Sequence, residues 1–527
     1  MKRYLSPYRT RWILLASVLA GAFLPTESGY AQGGNDTIVV AHEAAVPNLD
    51  PAQALGLHSL RVIRFISEGL VTTKKDEPEV SPLLAKSWDI SPNGLEWTFH
   101  LQENVRFHDG EPLTAEAVKY SYERFMDPKH PEYKCGKWTF VVGYARPIKR
   151  IDVVNAHTVK LVLHYKHAGF LGYLSNVNFG IVSPKAAKQS CNDFGSKPVG
   201  TGPYRLETWQ RGVKLSLIRN EHYWGKKGAP KRIIFRPVPE EQTRVAELLS
   251  GGVDVIVPVF PDSIPQVEKN KDTRIIKVPG LTIWYVALNL DRKIFQNQKV
   301  RQALNYAIDR EAIVRDVLKN TGIVATQAVH PSSWGHNPNA RKYPYDPERA
   351  KKLLAEAGFP NGFSLKLWAP TSGSGMQLPK EMAQVIQANL AAIGVQTKLE
   401  VFEWGTYLAK VREKQRSFDM AAMSWYQKVR DPDVTLYPLF YSKNVPFVNL
   451  MKYNNPEVDR LLGEAREVFD EGKRKVIYQK IVEIVNEEVP WIPIDHQYEV
   501  VGVRANVHGV SMNPNGWLLS LEDAYKK

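Results

Sequence analysis

The sequence predicts an α/β protein of two lobes with a ligand cleft between them. Its 527 residues, 43% of them hydrophobic, are enough for more than one core. β-type alternation and helical periodicity follow each other along the chain, separated by Gly- and Pro-containing turns. Strands that alternate with helices form α/β lobes with largely parallel sheets, and small-ligand sites commonly lie between such lobes.

The first part of the chain begins with a strand, because Thr37 to Ala41 is apolar and rich in β-branched residues. The next predicted element is a helix with apolar residues at helical spacing, namely Leu60, Ile63, Ile66 and Leu70. After a Ser-Pro-Asn-Gly turn at 91–94, apolar and polar residues alternate from Leu95 to Leu101, which predicts a half-buried strand. Thr114 then starts a helix that has Glu116 in its favourable first turn.

The second half repeats a strand–helix–strand pattern. Asp346 is the predicted N-cap of a helix that ends at Gly358. Alternation from Phe363 to Leu367 predicts a strand, and the apolar face of Lys380 to Ile393 predicts the helix that follows it. Alternation resumes from Leu399 to Val401, which completes a βαβ unit.

The first 31 residues have the features of a secretory signal. A basic stretch from Lys2 to Arg11 precedes an apolar run from Trp12 to Leu24, and Gly29 and Ala31 frame a cleavage site before Gln32. The apolar run is too short to span a bilayer, and no later run is long enough. No cysteine lies near the cleavage site, so we expect a freely diffusing periplasmic protein without a lipid anchor.

Charge and cysteines exclude some classes and favour others. The net charge of +14 is spread along the chain without a basic run or a nucleic-acid motif, so we expect a solvated surface and no nucleic-acid partner. The two cysteines, Cys135 and Cys191, form an even count in an oxidising compartment, which favours one disulfide over two free thiols.

Several segments, in a fixed order, carry a resemblance to a known family. They are NLDPAQ at 48–53, SEGL at 67–70, LAKSWDISPNGLEWTFHL at 84–101, FHDGEPLTAEAVKYSYER at 107–124, VGTGPYRL at 199–206, ELLSGGVDV at 247–255, VRQALNYAIDREAI at 300–313, YPYDPERAKKLLAEAGFPNGF at 343–363, EWGTY at 403–407 and YNNPEVDRLL at 453–462. Together they resemble the family 5 extracellular solute-binding proteins, which include the dipeptide, oligopeptide and nickel receptors of bacterial ABC importers.

The resemblance implies a two-lobed periplasmic binding protein of type II, cluster C-like, with an extra subdomain in lobe I. We expect lobe I at 32–284, with the subdomain at about 76–195, lobe II at 285–495, and a return to lobe I over 496–527. Hinge closure would trap the ligand, and the closed form would dock on an inner-membrane permease with its ATPase subunits. We expect a monomer, no cofactor and a purely structural disulfide.

The sequence does not favour catalysis. The chain has no His-Glu-x-x-His, Gly-x-Ser-x-Gly or Walker motif, and its 13 histidines lack the spacing of metal ligands. We therefore expect a receptor, with neither catalytic nor metal-binding residues. The alternative from another class is a secreted hydrolase or transferase, which product formation from peptides would reveal.

Candidate ligand-binding residues come from composition and from the resemblance. Ser424 to Asp433 interleaves aromatic and charged residues, a mixture suited to covering a flexible ligand. Trp404 and Trp425 match pocket tryptophans of oligopeptide receptors, and 55–57 matches a loop that pairs with the ligand backbone. The candidates are Leu55, Gly56, Leu57, Ser374, Trp404, Trp425, Tyr426, Gln427, Lys428, Arg430 and Asp431. The alternatives are that Trp425 belongs to the core and that Asp431 only caps the helix after Pro432.

Two departures from the dipeptide pattern bear on the ligand. Position 428 is a lysine where dipeptide and oligopeptide receptors carry the aspartate that pairs with the ligand's α-ammonium, and Ser374 replaces an arginine for its carboxylate. The sequence therefore predicts an importer receptor for a peptide or peptide-like solute, with Lys428 holding an anionic group. Two alternatives remain: an anionic or modified solute such as an opine, a sugar-linked acid or a glutathione-like peptide, and a Lys428 that merely pairs with Asp431 or Asp433.

Overall fold

The structure is a computed structural model that describes residues 36–527, apart from 55, 139, 374, 446–447 and 517. The predicted signal at 1–31 and the start near Gln32 lie outside the described residues, as do the candidates Leu55 and Ser374. Every helix in the described ranges is too short or too polar to cross a lipid bilayer.

The strands are numbered in chain order. They are β1 (Thr37–His42), β2 (Val71–Thr73), β3 (Val80–Pro82), β4 (Ala85–Ile90), β5 (Glu96–Leu101), β6 (Ile148–Asn155), β7 (Thr158–Leu163), β8 (Tyr204–Gln210), β9 (Lys214–Arg219), β10 (Arg232–Pro237) and β11 (Val255–Val257). They continue with β12 (Thr273–Leu288), β13 (Gly322–Val324), β14 (Phe363–Pro370), β15 (Val395–Phe402), β16 (Met420–Trp425), β17 (Trp491–Arg504), β18 (Val507–His508), β19 (Ser511–Met512), β20 (Leu519–Ser520) and β21 (Tyr525–Lys526).

The α-helices fill the intervals between the strands. They are α1 (Leu57–Ile63), α2 (Ala115–Met126), α3 (Phe140–Ala145), α4 (Phe170–Leu174), α5 (Pro184–Ser190), α6 (Glu241–Ser250), α7 (Ile264–Lys269) and α8 (Lys293–Gln296). They continue with α9 (Gln298–Ala307), α10 (Arg310–Ala312), α11 (Pro347–Glu356), α12 (Pro379–Ala391), α13 (Trp404–Val411), α14 (Asp433–Phe440), α15 (Pro456–Glu467) and α16 (Glu471–Glu488).

One 11-stranded sheet runs through the molecule in the order β15-β14-β16-β12-β17-β11-β1-β10-β9-β8, with β13 added on β17. Its two halves are joined by the antiparallel pair β12 and β17, which runs from Thr273 opposite Arg504 to Ala287 opposite Trp491 with register shifts after Pro279 and after Trp284. The predicted crossing points between lobes, near 285 and 495, fall within these two strands. The lobe boundaries themselves stay a prediction.

The expectation of largely parallel sheets was wrong. β1 lies parallel to β10 and β11, and β14 lies parallel to β15 and β16. The joining strands β12 and β17, however, are antiparallel to each other and to their outer neighbours β16 and β11. A chain that crosses between two halves and returns lays its two crossing strands in opposite directions, so the sheet is mixed.

Separate cores pack on the two halves of the sheet. The amino-terminal core includes Ile38, Val40, Leu217, Phe235, Val501 and Val503. The central core includes Trp284, Val286, Leu304, Leu367, Ile492 and Ile494, and the adjoining core, on the other side of the same strands, includes Tyr285, Ala421, Leu436 and Trp491. β17 therefore contributes apolar residues to both halves, at its two ends.

A small antiparallel sheet in the order β4-β5-β7-β6 forms a further body, which we call the subdomain. The alternation predicted for Leu95 to Leu101 is confirmed, since Trp97, Phe99 and Leu101 are buried in the subdomain core. Trp97 lies against Phe170, with ring centroids 5.5 Å apart. The body falls within the predicted range 76–195.

Local signals located most of the predicted elements. The side chain of Thr114 accepts a hydrogen bond from the Ala117 amide and caps α2. Asp346 caps α11 in the same way through the Arg349 amide. One helix was predicted too long: α1 ends at Ile63, because the carbonyl groups of Phe65 and Ile66 accept hydrogen bonds from the amides of Tyr204 and Gly202.

The predicted disulfide is confirmed. Cys135 and Cys191 are bonded, with their Cα atoms 5.0 Å apart. Cys135 ends a short 3-10 helix after α2, and Cys191 follows α5. The bridge therefore ties two short elements of the first part of the chain together.

Candidate ligand-binding site

The segment that leaves β16, residues 424–434, carries most of the predicted ligand residues, and we call it the 424–434 segment. Gln427 is buried and donates its Nε2 to the Val429 carbonyl at 2.9 Å. Asp431 accepts the Asp433 amide at 3.0 Å, which shapes the turn into α14. The segment is therefore an ordered turn, built by its own side chains.

Lys428 is the most unusual residue of this segment. It is only 7% exposed, and its Nζ has no hydrogen-bond partner among the described residues. The ammonium lies over the Tyr144 ring, 3.5 Å from its centroid. Burial lowers the pKa of Lys428 well below its ordinary value of 10.5. A cation–π contact offsets only part of the cost of burying a charge.

The neighbouring acids do not compensate this charge. Asp433 accepts two hydrogen bonds from Arg466, from Nε and Nη2, each at 2.8 Å. Asp431 forms an ion pair with Arg474, with Nη1 and Oδ2 2.9 Å apart. The alternative in which Lys428 pairs with Asp431 or Asp433 is therefore not what the structure has.

Asp433 also joins the segment to the first part of the chain. The hydroxyl of Tyr173 donates to Asp433 Oδ2 at 2.9 Å, and the Ala168 amide donates to the Arg466 carbonyl at 2.7 Å. Both Asp433 and Arg466 are buried, and Arg466 lies over the Tyr437 ring. This network connects Tyr173 and Ala168 of the first part of the chain to α14 and α15.

Arg430 and Asp431 lie at the same junction. The Arg430 amide donates to the Pro78 carbonyl at 3.1 Å, and its guanidinium is 3.6 Å from Glu79. Asp431, predicted either as a ligand residue or as a cap, uses its carboxylate for Arg474 and for the turn. The capping alternative therefore describes its contacts better than a ligand role does.

The predicted aromatic residues are half-buried. Trp404 begins α13 and stacks on Tyr407, with ring centroids 6.1 Å apart. Trp425 ends β16, packs against the adjoining core and donates its indole N–H to the Val434 carbonyl at 2.8 Å. Tyr426 packs instead against the amino-terminal core. The 424–434 segment thus contacts both halves of the molecule.

Two predicted loops flank this region. Gly56, with φ of 79°, precedes α1, and Leu57 packs into the amino-terminal core. In the loop 372–377, a Cβ atom on Gly373 would lie 3.0 Å from Trp404, and one on Gly375 would lie 3.5 Å from Ser424 Oγ. The loop that contains position 374 therefore lies beside the start of the 424–434 segment.

Comparison with known proteins identifies the family. A model of the bacterial extracellular solute-binding proteins of family 5 matches residues 79–447, more than half of the chain. The chain belongs to this family. Its membership confirms the predicted function class, the solute-binding component of an ABC importer.

Relatives of this solute-binding protein carry different ligands in their names. Heme-binding protein A of Haemophilus influenzae is 34% identical over 468 residues, covering 85% of this chain and 84% of the relative. Glutathione-binding protein GsiB of Escherichia coli is 32% identical over 494 residues, covering 92% and 94%. The structure of the ABC transporter-associated periplasmic binding protein DppA from Helicobacter pylori, in complex with the peptide STSA, has a TM-score of 0.83 at 31% identity, covering 93% and 98%. The likeness confirms the predicted periplasmic-binding-protein fold.

The sequence analysis did not identify two features of this solute-binding protein: the contact of Tyr144 with Lys428 and the polar middle of β17. Tyr144 was not singled out, because its contact with Lys428 joins distant parts of the chain. The middle of β17, Asp495 to Glu499, was also overlooked, although its polar residues interrupt two apolar runs. Polar residues between two apolar runs are visible in the sequence, so this feature could have been predicted. In the described part of the chain, His, Cys, Asp and Glu side chains do not gather in a group that could hold a metal ion.

Proposed function

We propose that this protein is the periplasmic receptor that delivers a peptide or peptide-like solute with an anionic group to an inner-membrane ABC permease. Among its relatives, one is named for the peptide glutathione and another binds the peptide STSA in its structure. The signal sequence at 1–31 supports export. The ligand is held in the cleft between the predicted lobes and is released unchanged.

The buried Nζ of Lys428, which has no hydrogen-bond partner among the described residues, is the observation on which the anionic preference rests. A charge that is removed from water must be paired, or the group gives up its proton. Arg474 and Arg466 already occupy Asp431 and Asp433. A carboxylate or phosphate of the ligand would supply the missing partner, and a ligand ammonium would be repelled.

Access to Lys428 depends on opening of the molecule. Its Nζ lies between the 424–434 segment and Tyr144 of the first part of the chain, so separating these parts exposes it to ligand. Closure then buries the ion pair and the ligand together. Small-angle scattering should give a smaller radius of gyration with ligand than without, and an unchanged profile at saturation would contradict this.

The first experiment is native mass spectrometry of the protein purified from its host, to identify what co-purifies. Calorimetry then compares the peptide Ser-Thr-Ser-Ala with its C-terminal amide, which lacks the anionic end. A charge-assisted contact is worth about 1.5–3 kcal/mol, so wild type should prefer the acid by roughly 10- to 150-fold. Lys428→Met should abolish this preference, and Lys428→Asp should reverse it.

Lys380→Met is the matched control, since Lys380 is exposed on α12. It should keep the wild-type preference. If wild type binds the acid and the amide equally, Lys428 does not select an anionic group. Recovery of both peptides unchanged after long incubation is expected of a receptor, whereas cleavage would favour the hydrolase alternative.

A further inference from the structure

The middle of β17 is polar although the strand lies inside the large sheet. Ile492 and Ile494 belong to the central core, and Val501 and Val503 belong to the amino-terminal core. Between them stand Asp-His-Gln-Tyr-Glu at 495–499, in the part of the strand that passes from one core to the other. Buried polar groups in such a place cost free energy unless they are paired, so their partners must be accounted for.

Glu499 lies in a niche lined by two glycines. It is 8% exposed, and its carboxylate makes no hydrogen bond with any residue that the structure describes. A Cβ atom on Gly516 would lie 2.4 Å from Glu499 Oε1, and one on Gly280 would lie 3.4 Å from its Cγ. Any larger residue at 516 would displace the carboxylate, so the chain leaves room for it there.

The nearest cation is already engaged. Arg61 donates from Nη1 to both carboxylate oxygens of Glu43, at 3.0 and 3.2 Å, and from Nε to the Gly516 carbonyl at 3.2 Å. Glu43 and Glu499 together thus carry one negative charge more than Arg61 neutralises when both are ionised. The niche favours a further positive group.

Gln497, on the same face of β17 as Glu499, is a second residue that could bind a ligand. Side chains two residues apart on a strand lie on one face, so Gln497 lies beside Glu499. Gln497 is 3% exposed, and its Oε1 accepts the Gln377 amide. Its Nε2 has no hydrogen bond of good geometry within the described chain, and the Asp495 carboxyl, whose pKa burial raises and Gln497 lowers, is the neighbouring acceptor on the same face. The pair therefore offers an acceptor, the carboxylate, next to a donor, the amide.

We propose that Glu499 and Gln497 form a subsite for the amino-terminal end of the ligand, a primary ammonium group followed by a carbonyl. The ammonium donates to the Glu499 carboxylate, and the carbonyl accepts from Gln497 Nε2. Lys428 repels an ammonium group, so this end of the ligand needs a counter-charge elsewhere. The inference rests on the proposed peptide-receptor function and adds that the middle of β17 binds the amino-terminal end of the ligand.

The subsite makes affinity dependent on pH. Burial raises the pKa of Glu499 to about 7; Arg61 opposes this and Glu43 adds to it. The other titratable groups nearby are His42 and His58, which lie next to Glu43 and whose pKa values burial lowers, and Asp495, which interacts with Gln497 and whose pKa burial raises well above 3.8. Only ionised Glu499 attracts the ammonium, so affinity rises with pH through the pKa and falls on acidification.

Calorimetry of wild type with Ser-Thr-Ser-Ala and its N-acetyl derivative tests the subsite. At pH 7.5 the free amine should bind at least 10-fold more tightly than the acetylated peptide. For a carboxyl of pKa about 7 that binds only when ionised, affinity for the free amine should fall by about 25-fold at pH 5.5. Glu499→Gln should bind both peptides equally and lose this pH dependence, with a melting curve to verify folding.

Glu240→Gln is the matched control, because Glu240 is exposed ahead of α6, and it should behave as wild type. Equal binding of both peptides by wild type, with no change from pH 7.5 to 5.5, would overturn the subsite and leave the receptor function intact. Failure of wild type to bind either peptide would overturn the proposed ligand class instead. Gln497→Leu should weaken the free-amine peptide and its N-acetyl form alike, since both keep the carbonyl.

Discussion

The ion pair between Asp433 and Arg466 yields the most demanding stability prediction. Asp433→Asn keeps the shape of the side chain and removes its charge. In the wild type both carboxylate oxygens accept from Arg466 at 2.8 Å, and the hydroxyl groups of Tyr173 and Tyr478 donate to them at 2.9 and 3.3 Å. Burial opposes ionisation, yet the Arg466 guanidinium holds the pKa of Asp433 below its ordinary value of 3.8.

The loss of unfolding free energy in Asp433→Asn can be estimated from the unpaired Arg466 charge that remains. Two hydrogen bonds between charged groups contribute about 1.5–3 kcal/mol each, and breaking one side of a buried ion pair costs about 3–5 kcal/mol. We expect Asp433→Asn to lower the free energy of unfolding by about 3–5 kcal/mol at pH 7. The double variant with Arg466→Met removes the stranded charge, so it should lose less than the two single variants added together.

Urea unfolding followed by circular dichroism gives the free energies, with unchanged m-values as the check that the transition is the same. Glu457→Gln, at the exposed pair with Arg460, is the control and should lose less than about 1 kcal/mol. Because the folded pKa of Asp433 is lowered, its contribution is present above pH 3.8 and disappears as pH falls below it. A loss under about 1 kcal/mol in Asp433→Asn would refute the reasoning.

Three further variants test other buried groups. Burial raises the pKa of Asp495 well above 3.8, although the Gln497 side chain opposes this shift. Asp495→Asn should therefore stabilise the fold by about 1–3 kcal/mol at pH 7 but not at pH 4, and equal effects at both would contradict this. Lys428→Met should raise the melting temperature at pH 7, because burial lowers the pKa of Lys428 and the charged form is therefore unfavourable in the fold. The gain should shrink as the pH approaches 10.5, and a lower melting temperature at pH 7 would exclude an uncompensated charge. Replacing Cys135 and Cys191 by serine removes a cross-link with sequence separation 56 and should lower the free energy of unfolding by about 4 kcal/mol, because the unfolded chain gains loop entropy. Urea unfolding measures this loss, and an unchanged midpoint would contradict it.

Elements with local signals could be predicted closely from the sequence. The helix predicted from Lys380 to Ile393 is α12, Pro379–Ala391, and Gly394 after it has φ of 84°, a conformation that glycine adopts at low cost. Asp346 placed the start of α11 by a hydrogen bond within its own first turn. Such signals are contained in a few neighbouring residues, so no tertiary information is needed to read them.

Non-local pairing is where the prediction failed. The apolar spacing that suggested a helix through Ile66 and Leu70 is real, since both residues are buried. Their backbone instead pairs with 85 and 202, which no local pattern reveals. The direction of β12 and β17 was missed for the same reason, because hydrophobic periodicity carries no information about parallel or antiparallel pairing.

The candidate site was also only partly predictable: its unusual residue could be found from the sequence, but the contacts of that residue could not. Lys428 could be singled out by its charge against the family pattern, but the partners that make the charge matter could not. Tyr144 lies on the subdomain, and Arg466 and Arg474, which occupy the nearby acids, lie on α15 and α16. The energetic cost of burying Lys428 can be recognised only when these contacts are known.

The same contacts link ligand charge to the shape of the protein. Lys428 is buried against Tyr144, and its Nζ has no hydrogen-bond partner among the described residues. Closing without ligand therefore requires the lysine to lose its proton or to remain as an unpaired buried charge, and both cost free energy at neutral pH. Opening restores its hydration, so we expect the empty protein to favour an open form. A ligand carboxylate removes the cost only when the parts close around it, and a ligand stabilises one state only through such a difference in affinity. Lys428 thus makes closure conditional on the sign of the ligand, which is what a receptor needs if the permease is to distinguish loaded from empty protein.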